Sequence, residues 1–182
     1  MSTKFALDTE FHDRGHNRID LLSVGVVSEV GDKYYAVVKD TDWKAVHANP
    51  WLNQNVVPAL PDPRLKNKSI PYRTRKEIKG ELEVFFAKYD KPEFWAYFAD
   101  WDWILFAHIF GNLLELGDSI KGAPMLCLDI KQEMMRLQIP REALTDQYTT
   151  EHNALNDAQW NMQILRDIAM IERKRYGNSW LD

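Results

Sequence analysis

The sequence predicts a mixed α/β fold in which a five-stranded mixed sheet carries helices on its faces. Three observations carry that expectation. β-branched and aromatic residues crowd the segments up to about residue 39, broken by a Gly31-Asp32 turn signal. Apolar stripes at helical spacing and capping signals dominate the remainder. Two short apolar segments then interrupt the helices, so strand and helix alternate.

Taken in order, residues 4–8 (Lys-Phe-Ala-Leu-Asp) read as a short buried strand. Ile19 to Val30, with Leu21, Leu22, Val24, Val26 and Val27, reads as a second. Lys33 to Lys39 is its hairpin partner, which makes an antiparallel meander of three. Asn49-Pro50 has the form of an N-cap followed by proline at the first helical position, opening a short helix from Trp51. Pro58, Pro61, Pro63 and Pro71 exclude regular structure from most of the next stretch. Thr74-Arg75-Lys76-Glu77 matches a capping box, and Ile78, Leu82, Phe85, Phe86 and Tyr89 share one face of the helix it opens. Glu93 to Phe98 is a fourth strand, Asp100 to Leu116 a helix with Asp100 at its N-cap, and Met125 to Asp129 a fifth strand. A helix ending before Pro140 follows. The last long helix runs from about Asn153 to about Arg175, with Ala154, Ala158, Met162, Leu165 and Ala169 on one stripe. This order is that of a ribonuclease H-like fold, and residues 1–182 are read as one domain.

Composition fits a soluble protein: 45% hydrophobic and 27% charged residues over 182 positions. No stretch reaches the ~18–20 apolar residues that cross a bilayer. The opening MSTKFALDTE lacks the features of a secretory leader. The single cysteine, Cys127, can form neither an internal disulfide nor a cysteine metal cage, so a reducing cytoplasm is the expected compartment. The net charge of −4 argues against blanket electrostatic capture of nucleic acid. Yet Arg64, Lys66, Lys68, Arg73, Arg75, Lys76 and Lys79 lie within sixteen positions. They form either a solvated surface or a basic rim that guides phosphates.

The acids carry the chemical signal. Asp8 and Glu10, two apart on a strand, point to the same side at its carboxyl end. Adjacent buried carboxylates repel unless a cation or hydrogen bonds compensate. Asp100 and Asp102 follow the fourth strand, where one acid can cap the helix and the other turn outward. His152 and Asp157 open the last helix; a five-residue spacing is about 140° of helical rotation, so both face one site only if His152 lies at the helix start. Strand and helix order lets Asp8, Glu10, Asp102 and Asp157 converge at one sheet edge. Four carboxylates there suit two hard divalent ions such as Mg²⁺ or Mn²⁺.

These segments resemble the motifs of the DEDD superfamily of 3′→5′ exonucleases, in the branch that uses histidine. Ala6-Leu7-Asp8-Thr9-Glu10-Phe11 is similar to its first motif, Ala99 to Phe106 to the second, and His152-Asn153-Ala154-Leu155-Asn156-Asp157-Ala158 to the third. The register of the second motif selects Asp102 over Asp100. Ile19-Asp20-Leu21 stands where the family often has Ile-Glu-Ile. A narrower likeness, through Asp8 to Phe11, Ser23 to Val27, Tyr34 to Val37, the Trp51 to Pro61 stretch, Arg75, Trp95-Ala96 and Asp102, is to the adenylate-preferring RNase AS group and its phage relatives. Trp103 departs from the histidine expected there.

The resemblance implies a metal-dependent 3′→5′ exoribonuclease that releases nucleoside 5′-monophosphates from single-stranded RNA, with a preference for adenylates. Asp8 then bridges both ions, Glu10 and Asp157 complete one shell, Asp102 helps hold the second, and His152 is the general base. It further implies substrate contacts from Thr9, Phe11 and Arg75, and a homodimer, while Trp103 is a candidate to stack on a base in the manner of other single-strand binders. For Phe11 and Trp103 core packing is the competing reading. The alternatives are an exonuclease acting on single-stranded DNA and a catalytically silent nucleic-acid-binding domain.

Overall fold

The computed structural model describes residues 2–16, 18–61 and 71–181. The antiparallel meander forms as the β-branched runs and the Gly31-Asp32 turn predict, with its first strand longer than the expected residues 4–8. β1 (Thr3–Asp13) pairs antiparallel with β2 (Ile19–Ser28), and β2 with β3 (Lys33–Val38). Gly31, at φ 99°, supplies the positive φ of the turn between them. β5 (Pro92–Ala96) adds parallel to β1, and β6 (Leu128–Asp129) parallel to β5.

Among the described residues the sheet has six strands, in the order β4-β3-β2-β1-β5-β6, where the sequence predicted five. The addition is β4 (Tyr72–Arg73), parallel to β3. Two residues are too few to show a period. The pairing rests on the Val37 and Lys39 amides, which donate to the carbonyls of Pro71 (2.8 Å) and Arg73 (2.7 Å).

Two layers of helix cover the sheet. On one face α3 (Arg75–Phe86) and α4 (Ala99–Phe110) bury Ile78, Leu82, Phe86 and Phe106 against Phe5, Leu7 and Phe94. On the other, α6 (Ile130–Arg136) and α7 (Ala154–Tyr176) bury Met134, Ala158, Met162 and Leu165 against Ala6, Val27 and Trp95. The short helices α1 (Trp43–Ala48) and α2 (Pro50–Asn55) cap one end through Val46, Leu52 and Val56.

Several local predictions hold. The Asn49 carboxamide accepts the Trp51 and Leu52 amides at the start of α2, and Thr74 and Glu77 close the capping box of α3. Others are corrected. The helix expected over Asp100 to Leu116 is broken at Gly111 (φ 121°), and Asn112 caps a separate α5 (Leu113–Ser119). Asp100 is exposed and does not cap α4. That helix starts from Phe98 in the left-handed region, φ 58°. Asp129 supplies its cap from the end of β6, with Oδ2 accepting the Ala99 amide and Oδ1 the Gln132 amide at the start of α6, each at 2.8 Å. Among the described residues no helix is long and apolar enough to cross a membrane.

Candidate active site

The alternation of β1 sorts its side chains between two layers. Phe5, Leu7, Thr9 and Phe11 turn towards α3 and α4, while Asp8 and Glu10 turn towards α7. Asp8, Glu10 and Asp157 offer carboxylate oxygens that all lie within 4.8 Å of one another. Asp102 reaches the same edge from the first turn of α4. Its Oδ1 accepts both the Thr9 amide (2.8 Å) and the Thr9 hydroxyl (2.6 Å). Asp102 rather than Asp100 is therefore the buried acid, as the motif register indicates.

The electrostatics of this edge are unfavourable without a counter-charge. Burial, then Asp102, Asp157 and Glu10, hold the Asp8 carboxyl well above the usual carboxylate range. Burial and Asp157 push Glu10 up to about 8. Burial pushes Asp102 up to about 7 even against the lowering effect of its two Thr9 hydrogen bonds. Asp157 is also raised by burial, opposed by a hydrogen bond from the Gln147 carboxamide and by His152. Among the described residues, none of the four forms an ion pair with lysine or arginine.

His152 lies just outside α7, at φ 60°, before the N-cap residue Asn153. That backbone conformation removes the 140° conflict, because the residue is not on the helix at all. His152 and Asp157 line one cavity of about 870 Å³ together with Asp8. The imidazole and the Trp51 indole meet edge to face, with ring centroids 5.2 Å apart and planes at 75°. Asn153 fixes the approach of α7: its carboxamide donates to the Tyr35 hydroxyl (3.1 Å) and the Ala59 carbonyl (2.9 Å). Asn161, buried on the apolar stripe of α7, donates to the Leu7 carbonyl beside Asp8 at 3.2 Å.

The expected substrate contacts divide. Phe11 lines a second cavity of about 280 Å³ with Glu10, Asn49 and Trp51. Thr9 is buried, and its hydroxyl is committed to Asp102 rather than presented to a ligand. Trp103 is only 8% exposed, packed between Phe94 (5.2 Å) and Phe106 (6.0 Å), so it offers no face to a base. Helical rotation explains the correction, since 100° per residue turns Trp103 towards the sheet and leaves Trp101 outside. Arg75 lines neither cavity; it borders a separate one of about 130 Å³ with His108 and Leu105. Of the basic cluster, Arg64, Lys66 and Lys68 lie outside the described residues. Arg73 pairs with Glu81 (2.6 Å) and Lys79 donates to the Phe110 carbonyl (3.3 Å), so both are engaged within the protein.

Sequence reasoning missed Trp51, Gln147, Asn153 and Asn161 as parts of this edge. Asn161 carried a usable signal, a carboxamide three residues after Ala158 on an otherwise apolar stripe. Gln147 carried none, because only the path of an irregular segment brings it to Asp157.

Residues 3–169 match the model of a protein family described as the 3′-5′ exoribonuclease Rv2179c-like domain. The chain belongs to this exoribonuclease family. Two relatives from Mycobacterium tuberculosis strains, named 3′-5′ exoribonuclease Rv2179c and MT2234.1, are each 30% identical over 171 residues, covering 93% of this chain and 95% of theirs. Among solved structures, a moderately thermophilic exonuclease I from Methylocaldum szegediense matches with a TM-score of 0.57 at 12% identity. That match covers 97% of this chain and 41% of the other, and it supports the ribonuclease H-like fold. The family assignment makes this protein an enzyme of the nuclease class, and all five motif residues, Asp8, Glu10, Asp102, His152 and Asp157, fall within the matched span.

Proposed function

We propose that this member of the family is a metal-dependent 3′→5′ exoribonuclease, a single domain over residues 1–182, that removes nucleoside 5′-monophosphates from single-stranded RNA. The observation that carries the reading is the convergence of three carboxylates within 4.8 Å, Glu10 buried and Asp8 and Asp157 half-buried, with His152 lining the cavity that Asp8 and Asp157 border. The donor set fits hard divalent ions: it is all oxygen, closely spaced, and without a lysine or arginine partner among the described residues. Asp8, Glu10 and Asp157 would hold one Mg²⁺ or Mn²⁺, and Asp8 with Asp102 a second. When bound, such ions stabilise the charge that hydrolysis develops on the attacking and leaving oxygens.

The chain's own groups do the rest. His152, free of the helix ladder, takes the proton of the attacking water. Asn153 holds the backbone on which that imidazole sits. Phe11 and Trp51, the latter 54% exposed, wall the 280 Å³ cavity beside Glu10 and offer ring faces to the terminal base. An adenylate preference belongs to this reading through the family likeness. A homodimer does as well, with Trp101 and Ile104 on the outer face of α4 available for burial. So does a reducing cytoplasm, where Cys127, its thiol pushed up by burial, Asp102 and Asp129, stays an inert thiol.

Matched oligoadenylate RNA and DNA digested with Mg²⁺ or Mn²⁺ test the substrate. Faster loss of the RNA is expected, and faster loss of the DNA would reassign the protein to single-stranded DNA. His152→Ala is expected to slow turnover by about 10²–10⁴-fold, the usual worth of a general base. Manganese binding, followed by calorimetry, should stay close to wild type. Loss of that binding would give His152 a different role.

A further inference from the structure

The carboxylates stand between two cavities of unequal size. Glu10 borders the smaller, about 280 Å³, while Asp8, Asp157 and His152 border the larger, about 870 Å³. A chain cut one unit from its end places that unit on one side of the cut and the remaining strand on the other. The smaller cavity, lined by Phe11 and Trp51, suits the single unit, which leaves the larger one for the strand.

The wall of the larger cavity has the chemistry for that occupant. Arg141 is its only lysine or arginine among the described residues. The guanidinium lies over the Trp160 indole at 4.8 Å, donates to the Leu144 carbonyl at 3.4 Å and forms an ion pair with the largely exposed Asp146 at 3.4 Å. Trp160 sits one turn beyond Asp157 on α7 and is itself fixed by donating to the Thr145 carbonyl at 3.1 Å. Held by these contacts and a third exposed, the cation is placed to meet a phosphate. Two aromatic rings flank the same cavity with open faces, Tyr148 at 88% exposure and Phe98 at 61%. Tyr148 follows Gln147, whose carboxamide bonds Asp157, so the ring is tethered one residue from the acid cluster. The other charged groups along this wall, Asp146 and Glu151, are acidic. Phosphates are therefore unwelcome except at Arg141, and stacking has to supply the remaining grip.

Building on the exonuclease reading above, we infer that Arg141 and Tyr148 form the docking wall for the nucleotides upstream of the scissile bond, one phosphate on Arg141 and one base on Tyr148. Substrate length is then read in this cavity and not in the small one. Base stacking on an exposed aromatic is worth roughly a factor of ten per base.

The test compares kcat/KM on a dinucleotide and on a heptanucleotide of the same RNA sequence. Wild type should favour the heptamer by about tenfold or more. Tyr148→Ala and Arg141→Gln should each lose about tenfold more on the heptamer than on the dimer, collapsing that preference. Arg141→Gln should also flatten the salt dependence of heptamer binding by about 0.7 in the log–log slope, the share of one phosphate on a single strand. Equal losses on both lengths would overturn the inference, as would an unaltered salt slope. Tyr148 stands free of the core, so its variant tests the idea even if Arg141→Gln disturbs the fold. A wild-type protein that cuts neither length would instead overturn the exonuclease reading, and this inference with it.

Discussion

Replacing Asp8 by asparagine is expected to raise the melting temperature of the cation-free protein while abolishing nuclease turnover. Asp8 is held above its ordinary carboxylate range by burial and by Asp102, Asp157 and Glu10. Removing its charge therefore relieves repulsion felt by all three neighbours. A shift of one pKa unit corresponds to about 1.4 kcal/mol, and about 1 kcal/mol moves Tm by roughly 2–4 °C in a protein of this size. A rise of several degrees is the expected scale.

The pH dependence has a definite sign. Glu10 titrates near 8 when folded against an ordinary 4.5, so the folded state binds the proton more tightly than the unfolded chain. Its contribution to stability is complete below about 4.5 and is lost as pH rises through about 8. Asp102, pushed from 3.8 to about 7, acts in the same direction over a lower window. Cation-free wild type should thus melt lower at pH 8 than at pH 5, and Asp8→Asn should narrow that gap. Added Mn²⁺ should restore wild type at pH 8 and help the variant far less, because only ligands that bind the folded state stabilise it. Thermal melts at both pH values, with and without manganese, decide the matter. A variant less stable than wild type without cations would contradict the electrostatic account.

Residues whose environment follows from a local period were legible in the sequence. Asp8 and Glu10 share a side because strand geometry alternates, and the capping box at Thr74 and Glu77 appears as drawn. Elements defined by pairing partners were not legible: β4 exists only through the Pro71 and Arg73 carbonyls, and the α4–α5 break depends on Gly111 at φ 121°. Trp103 shows the limit of reading by adjacency. An aromatic next to a site acid looks like a stacking platform, yet on a helix the neighbouring residue points 100° away, here into Phe94 and Phe106. His152 shows the converse. Its spacing from Asp157 allowed a shared site only with the imidazole at the start of the helix, and a left-handed φ just before the N-cap residue Asn153 meets that condition.

The largest structural effect is expected at a residue that bears no chemistry. Gly25 pairs across the sheet with Asp8 and lies under the first turn of α7. A Cβ at Gly25 would sit 2.1 Å from the Ala154 carbonyl oxygen and 2.6 Å from the Leu155 nitrogen, both backbone atoms that cannot rotate away. Gly25→Ala therefore has to push the start of α7 off the sheet. Asp157 rides on that turn, and His152 and Asn153 lead into it, so the carboxylate cluster opens and the imidazole moves with it. Overpacking of this kind costs on the order of 1–3 kcal/mol, and a displacement of about 1 Å at a reacting centre can cost about 10²-fold in rate. The variant is expected to melt several degrees lower, to bind Mn²⁺ more weakly and to lose about 100-fold or more of its activity. Gly80→Ala is the matched comparison, because nothing lies within 4 Å of the added atom. On the interior of α3 alanine should stabilise by roughly 0.5–1 kcal/mol. Gly25→Ala with wild-type activity and melting would show that the spacing between β2 and α7 does not set the geometry of the acids. A loss confined to Gly25 would show that the sheet positions Asp157 as firmly as it positions Asp8.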